Sequence, residues 1–348
     1  MVKRAAIVLA GGESRRFQRD KALAELFGKP LLVHAIENVR KVVDEVIVVL
    51  NKEVRVHGYF DILRKYSIKE VEFCVDEKFA GIRGPFPAIV TGMKHTGASH
   101  CMVLPCDFPC IKPVLIDYLI KRINNSKIAV PIWPNGKIEP LMLSCDRKEV
   151  AQIGKLLCNL KRWRPTDLLR GASRVTYVSI ANDLKNLDPK LESFVNINYE
   201  RNLIKFPYRS IHSGSIKETF CLNVRSPSSF TLEKLALASE LYHKGRIPEA
   251  LELFTFISQN FEEEHINFWS GIAREKKGEC FFDLRDLCLD TTKKETYNKE
   301  GSASFERAAQ NYRSESRFYE KHGIRFLVKH ARMDEERCRR RRVSAISK

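Results

Sequence analysis

The chain has 348 residues, enough for two domains or for one large domain with an appendage. A composition of 44% hydrophobic and 30% charged residues excludes global disorder. The formal net charge of +17 suits nucleotides, phosphorylated cofactors or nucleic acid, although a basic surface alone would give the same surplus.

The first apolar run, Ala5-Ala6-Ile7-Val8-Leu9, reads as a buried strand. It is too short for a secretory signal, and no run reaches bilayer length, so a soluble cytoplasmic protein is expected. The strand leads into Leu9-Ala10-Gly11-Gly12-Glu13-Ser14-Arg15-Arg16-Phe17-Gln18-Arg19-Asp20-Lys21. Adjacent glycines let backbone N–H groups approach a polyphosphate, because no Cβ intervenes. The arginines and Lys21 can neutralise its charge.

Further strands are expected at 45–50, 71–75, 101–105, 128–132, 140–144 and 175–180, with helices at 30–42, 56–66, 86–96, 111–124 and 147–161. This alternation predicts an α/β fold over 1–205, a doubly wound and mostly parallel sheet. The turn-rich stretch 206–229 lacks periodicity and reads as a linker. Residues 230–336 read as a small all-α domain, with a helical hairpin turning at Gly245 that resembles half of a tetratricopeptide-like unit. The end, 337–348, with Arg337-Cys338-Arg339-Arg340-Arg341-Arg342, reads as a solvated basic tail.

Asp107 follows the strand at 101–105, where open α/β sheets bind ligands, and its carboxylate suits Mg²⁺. A turn-capping aspartate before Phe108-Pro109 is the structural alternative. Asp76 ends the strand at 71–75 and could accept from the N1–H and exocyclic amine of guanine; a solvated loop carboxylate is the plain reading. In Asn196-Ile197-Asn198 both amides fall on one side of an extended segment and could complete a metal shell, with a turn as the default. Lys137 and Glu139 fall on a hairpin that could border an acceptor pocket, with a solvated turn as the favoured reading. Arg162-Trp163-Arg164 could stack a flat anion, but a core tryptophan between surface arginines is favoured. The ten cysteines show no CxxC pair; Cys106 and Cys110 are the nearest, and no zinc site is expected.

Taken in order, these landmarks resemble the molybdenum cofactor guanylyltransferase (MobA-type) family of nucleotidyltransferases over about residues 1–205. Leu9-Ala10-Gly11-Gly12, Arg16 and Asp20-Lys21 match its loop; Asn51, Asp76, Asp107 and Asn196-Ile197-Asn198 match its later landmarks. The family loop usually continues Arg-Met-Gly, where this chain has Arg16-Phe17-Gln18.

The resemblance implies transfer of GMP from GTP to the phosphate of molybdopterin, with Mg²⁺ as cofactor. It places Leu9, Ala10, Gly11, Gly12, Lys21, Asn51, Asp76 and Asp107 on GTP, Mg²⁺ on Asp107, and Asn198 beside the metal and phosphates. Arg16, Lys21 and Asp107 would carry catalysis. Two alternatives stand beside it: transfer from CTP or to a phosphosugar acceptor, or an interaction adaptor with a degenerate nucleotide fold. The C-terminal helices, outside the resemblance, would offer a surface for a protein partner; a nucleic-acid partner for the basic tail is the least favoured reading.

Overall fold

The computed structural model describes residues 2–12, 17, 20–77, 84–211, 213–225 and 227–346. The chain forms two compact units, Met1–Leu222 and Asn223–Lys348.

In the first unit, β1 (Arg4–Leu9) is followed by a two-stranded ribbon, β2 (Glu25–Leu26) and β3 (Lys29–Pro30). Next come α1 (Leu31–Val39), β4 (Glu45–Leu50), α2 (Arg55–Lys65), β5 (Glu72–Val75) and α3 (Pro85–Lys94). The chain continues through β6 (His100–Pro105), α4 (Pro113–Lys121), β7 (Ile128–Ile132), β8 (Leu143–Asp146), α5 (Arg147–Asn159) and α6 (Pro165–Gly171). β9 (Arg174–Ser179), the short helices α7 (Lys185–Leu187) and α8 (Arg201–Ile204), and β10 (Phe220–Asn223) complete it.

Eight strands form one sheet in the order β10-β9-β7-β8-β6-β1-β4-β5. β1 pairs in parallel with both β4 and β6. The chain therefore builds outward from β1 through β4 to β5, then returns to the opposite side of β1 as β6. That reversal is a topological switch point, and it opens a crevice beyond the carboxyl ends of β1 and β6. β8 lies antiparallel between β6 and β7, which makes the sheet mixed.

Both faces of the central strands are covered, which explains their unbroken apolar runs. Ala6 and Val8 join a buried cluster with residues of α1 and α4. On the other face α3 presses its Gly92 onto β1 and β4: a Cβ there would lie 2.4 Å from Ile7 Cγ2. Proline at the first turn of α3, α4 and α6 sets those helix starts, where its missing N–H costs nothing. Asp146 caps α5 by accepting from the Glu149 N–H at 3.1 Å.

Some expectations change. The strand expected at 140–144 lies at 143–146, because the backbone turns at Glu139–Met142, where the Met142 N–H donates to the Glu139 carbonyl. The expected linker at 206–229 contains β10, and the boundary falls after Leu222. Arg162-Trp163-Arg164 inverts: Trp163 is 51% exposed, while Arg162 is buried against Asp167, itself paired with buried Arg170. Glu139 is held by the Trp133 indole N–H at 2.7 Å, within the turn.

The second unit consists of α9 (Ser229–His243), α10 (Ile247–Glu263), α11 (Asn267–Leu287), α12 (Thr291–Lys321) and α13 (Arg325–Ile346), each packed on the one before it. The turn at Gly245 has a φ of +77°, a left-handed conformation that favours glycine. α11 and α12 approach through notches in which a ring fills the space of a missing side chain: Tyr312 over Gly271, Phe305 over Gly278 and Phe282 over Gly301. The basic end is part of α13. Arg337 donates to both oxygens of Glu275 at 2.9 and 2.7 Å, Arg341 pairs with Glu279 and Arg342 with Glu306. These arginines pair with glutamates of their own unit along α13, while residues 339–343 remain exposed. Among the described residues, no helix is long and apolar enough to cross a membrane.

Gly92→Ala should push α3 off the sheet and destabilise the first unit by about 1–3 kcal/mol, the usual cost of overpacking. Urea unfolding should show a lower midpoint with an unchanged slope.

Candidate active site

Four motif positions follow the carboxyl ends of four adjacent parallel strands. Ala10-Gly11-Gly12 leaves β1, Asn51 leaves β4, Asp76 leaves β5 and Asp107 stands two residues past β6. Because Leu9 is in register with Pro105, Gly11 and Asp107 leave the sheet side by side. Gly11 has no room for a side chain: a Cβ would lie 2.8 Å from the Asn51 backbone nitrogen.

Lys21 is aimed by its neighbour. Asp20 caps the short turn Lys21–Leu23, its Oδ1 accepting from the Ala22 N–H at 3.1 Å. Its Oδ2 accepts from the Tyr59 hydroxyl at 2.8 Å, with Tyr59 buried on α2. Arg55, one turn earlier on α2, stands 3.7 Å from the same carboxylate and donates to the Gly12 carbonyl at 3.5 Å. With its backbone so held, Lys21 extends its Nζ to Asp107 Oδ2 at 2.6 Å and to Asn198 Oδ1 at 2.9 Å. Phe17, in the family's methionine position, is buried with its ring centroid 5.9 Å from that ammonium.

The segment carrying Asn198 is tied to the same loop. The Ile197 N–H donates to the Asp107 carbonyl at 2.9 Å, and the Ile197 side chain packs in a cluster with Phe17, Leu31 and Val195. Asn196 takes a different partner from Asn198, accepting from Arg209 at 2.7 Å.

Three motif oxygens are buried without a hydrogen-bond partner: Oδ1 of Asn51, of Asp76 and of Asp107. Buried polar atoms are ordinarily satisfied, and these three follow the carboxyl ends of β4, β5 and β6, where open sheets bind ligands. Burial pushes the Asp76 carboxyl up to about 6, against a smaller opposing effect of the Thr91 hydroxyl. Its backbone N–H donates to the Leu50 carbonyl at 2.7 Å, which fixes it at the β4–β5 edge.

The structure thus brings Gly11 and Asn51 into contact, joins Lys21, Asp107 and Asn198, and sets Asp76 at the end of the neighbouring strand. Leu9 and Ala10 are buried at the head of the loop. Arg16 lies outside the described residues. Tyr59 and Arg55 were missed; their spacing of four places them on one helical face, but nothing in the sequence ties that face to the loop.

Asp76 predicts a pH dependence of stability. Its folded pKa of about 6 exceeds the ordinary 3.8, so the folded state holds the extra proton between those values. Stability from this group therefore falls as pH rises from about 4 to about 6 and is level above. Asp76→Asn should remove that slope, so its stability advantage over the native protein grows across this interval in denaturant titrations.

Comparison with known proteins identifies the family of the first unit. Residues 6–172 match the family described as "MobA-like NTP transferase domain". A probable molybdenum cofactor guanylyltransferase of Pyrococcus horikoshii is 36% identical over 211 residues, covering 58% of this chain and 98% of the relative. One from Methanosarcina mazei is 31% identical over 201 residues, covering 58% and 88%. Among solved structures, molybdopterin-guanine dinucleotide biosynthesis protein A from Archaeoglobus fulgidus matches with a TM-score of 0.48 at 24% identity, covering 58% of this chain and 95% of that one. The chain belongs to the MobA-like NTP transferase family and is a nucleotidyltransferase.

Proposed function

We propose that the chain transfers GMP from GTP to the terminal phosphate of molybdopterin or its molybdenum form, with Mg²⁺ as cofactor and pyrophosphate as the second product. The reading is carried by the Lys21–Asp107–Asn198 cluster at the switch point, beside three buried, unpartnered motif oxygens. The names of the relatives, molybdenum cofactor guanylyltransferases, support the same substrates.

The residues present fit a Mg²⁺ ion. Asp107 Oδ1 is a buried hard oxygen with no partner, and the Asn198 amide oxygen shares the Lys21 ammonium with Asp107. Among the described residues no cluster of three or more His, Cys, Asp or Glu could hold a metal. The protein would therefore supply one or two oxygens and leave the rest to phosphate and water, as Mg²⁺ prefers. When bound, the ion would neutralise phosphate charge and orient the triphosphate.

The chain's own residues do the remainder. The Gly11-Gly12 backbone would line the phosphates, and Lys21 would take up charge that develops on the leaving pyrophosphate. An oxygen of the acceptor phosphate attacks the α-phosphorus in line; a phosphoanhydride bond forms as the α–β bond breaks. A phosphate oxygen is already anionic, so no general base is needed and positioning carries the rate. Ionised Asp76 would accept from the N1–H and exocyclic amine of guanine, a pair that no other common base presents.

Pyrophosphate release measured across the four NTPs, with and without molybdopterin, tests the assignment. Release should require both GTP and molybdopterin. Lys21→Met and Asp107→Asn should each lower kcat by about 100-fold or more while cooperative unfolding is retained. Turnover with CTP, or undiminished release by Asp107→Asn, would overturn the base or the metal assignment respectively.

A further inference from the structure

Residues 206–211 and 213–222 lie beyond the stretch 6–172 that matches the family and run as a strap across the first unit. Phe206 packs beside the cluster of Phe17, Val195 and Ile197. Arg209 donates from Nε to the Phe194 carbonyl at 3.0 Å and from a terminal nitrogen to Asn196 Oδ1 at 2.7 Å. Further on, the Gly214 backbone lies so close to the turn after β7 that a Cβ would sit 2.1 Å from the Pro134 carbonyl oxygen. The Ile216 N–H donates to that same oxygen at 3.2 Å. The Ser179 hydroxyl, at the end of β9, donates to the Lys217 carbonyl at 2.5 Å before the strap becomes β10.

Arg209 is the strap's charged contact with the Asn196-Ile197-Asn198 segment. It grips that segment at residues 194 and 196. The next two residues give the N–H to the Asp107 carbonyl and the amide oxygen to Lys21. A guanidinium presents its donors in a fixed fork, so two bonds from one plane restrain position and orientation together. We propose that Arg209 is a positioning residue for nucleotidyl transfer, holding the 194–198 segment so that Asn198 meets Lys21 and Asp107. It touches neither nucleotide nor acceptor; it acts through Asn198. The kinetic part of this proposal rests on the nucleotidyl-transfer reading, and the structural part does not.

Two measurements on the full chain test it. In hydrogen exchange without ligand, Arg209→Ala should speed exchange of the peptide holding Ile197 by about tenfold or more, since it removes charge-assisted bonds. Peptides from 216–223 should stay unchanged, and Arg209→Lys, which can keep one bond, should fall between. Unchanged exchange at Ile197, or equal acceleration across 216–223, would overturn the positioning role.

In pyrophosphate release, Arg209→Ala should lower kcat by about 10- to 100-fold with the KM for the nucleotide nearly constant, because misplacement costs rate before binding. The double variant Arg209→Ala/Asn198→Ala should be no slower than Asn198→Ala alone. Additive losses would show that Arg209 does not act through Asn198. If the native chain turns over no NTP while the Ile197 peptide still loosens as expected, the functional reading fails and the positioning stands.

Discussion

The ion pair between Lys21 and Asp107 is the constraint around which the first unit is arranged. The two side chains are only 17% and 18% exposed and come from loops far apart in sequence. Removing two charges from water is costly unless geometry and extra hydrogen bonds compensate. Here the compensation is visible: Asn198 gives the ammonium a second acceptor, and the Asp20 cap fixes the backbone from which it extends. Since the pair is neutral, it can exchange partners without leaving net charge in the crevice. An anion can take the ammonium while a cation takes the carboxylate.

The second unit is built by another logic. Its longest helices meet through glycine notches filled by rings, and its polar interior is threaded by Arg337, Glu275 and Asp334, the last fully buried. Such contacts set which residue of α11 faces which residue of α12 and α13. The arginines at the chain's end take part in this network through pairs with Glu335 and Glu279.

Much of the fold was legible because its signals are local. The apolar runs of β1, β4 and β6 announce strands covered on both faces, and proline at a helix start needs no tertiary partner to be read. The candidate site was legible only as a set of spaced motifs, whose convergence follows from the return of the chain past β1. Other features were hidden for a physical reason. Tyr59 serves Asp20 through a contact across 39 positions, and Arg209 serves a segment that sequence periodicity leaves featureless. Arg162 and Trp163 show the limit of composition: a buried carboxylate, Asp167, drew the arginine inward and left the ring outside.

β10 alters what counts as the folded first unit. The family resemblance runs to about residue 205, which invites a boundary there for recombinant work. A chain cut at that point would lose the strap and would leave β9 with a row of unsatisfied backbone groups along its outer side. Open edges of this kind recruit other strands, and the products are aggregates rather than dissected enzymes. The first unit runs to Leu222 with β10 beside β9, so a boundary for the folded unit belongs beyond that strand.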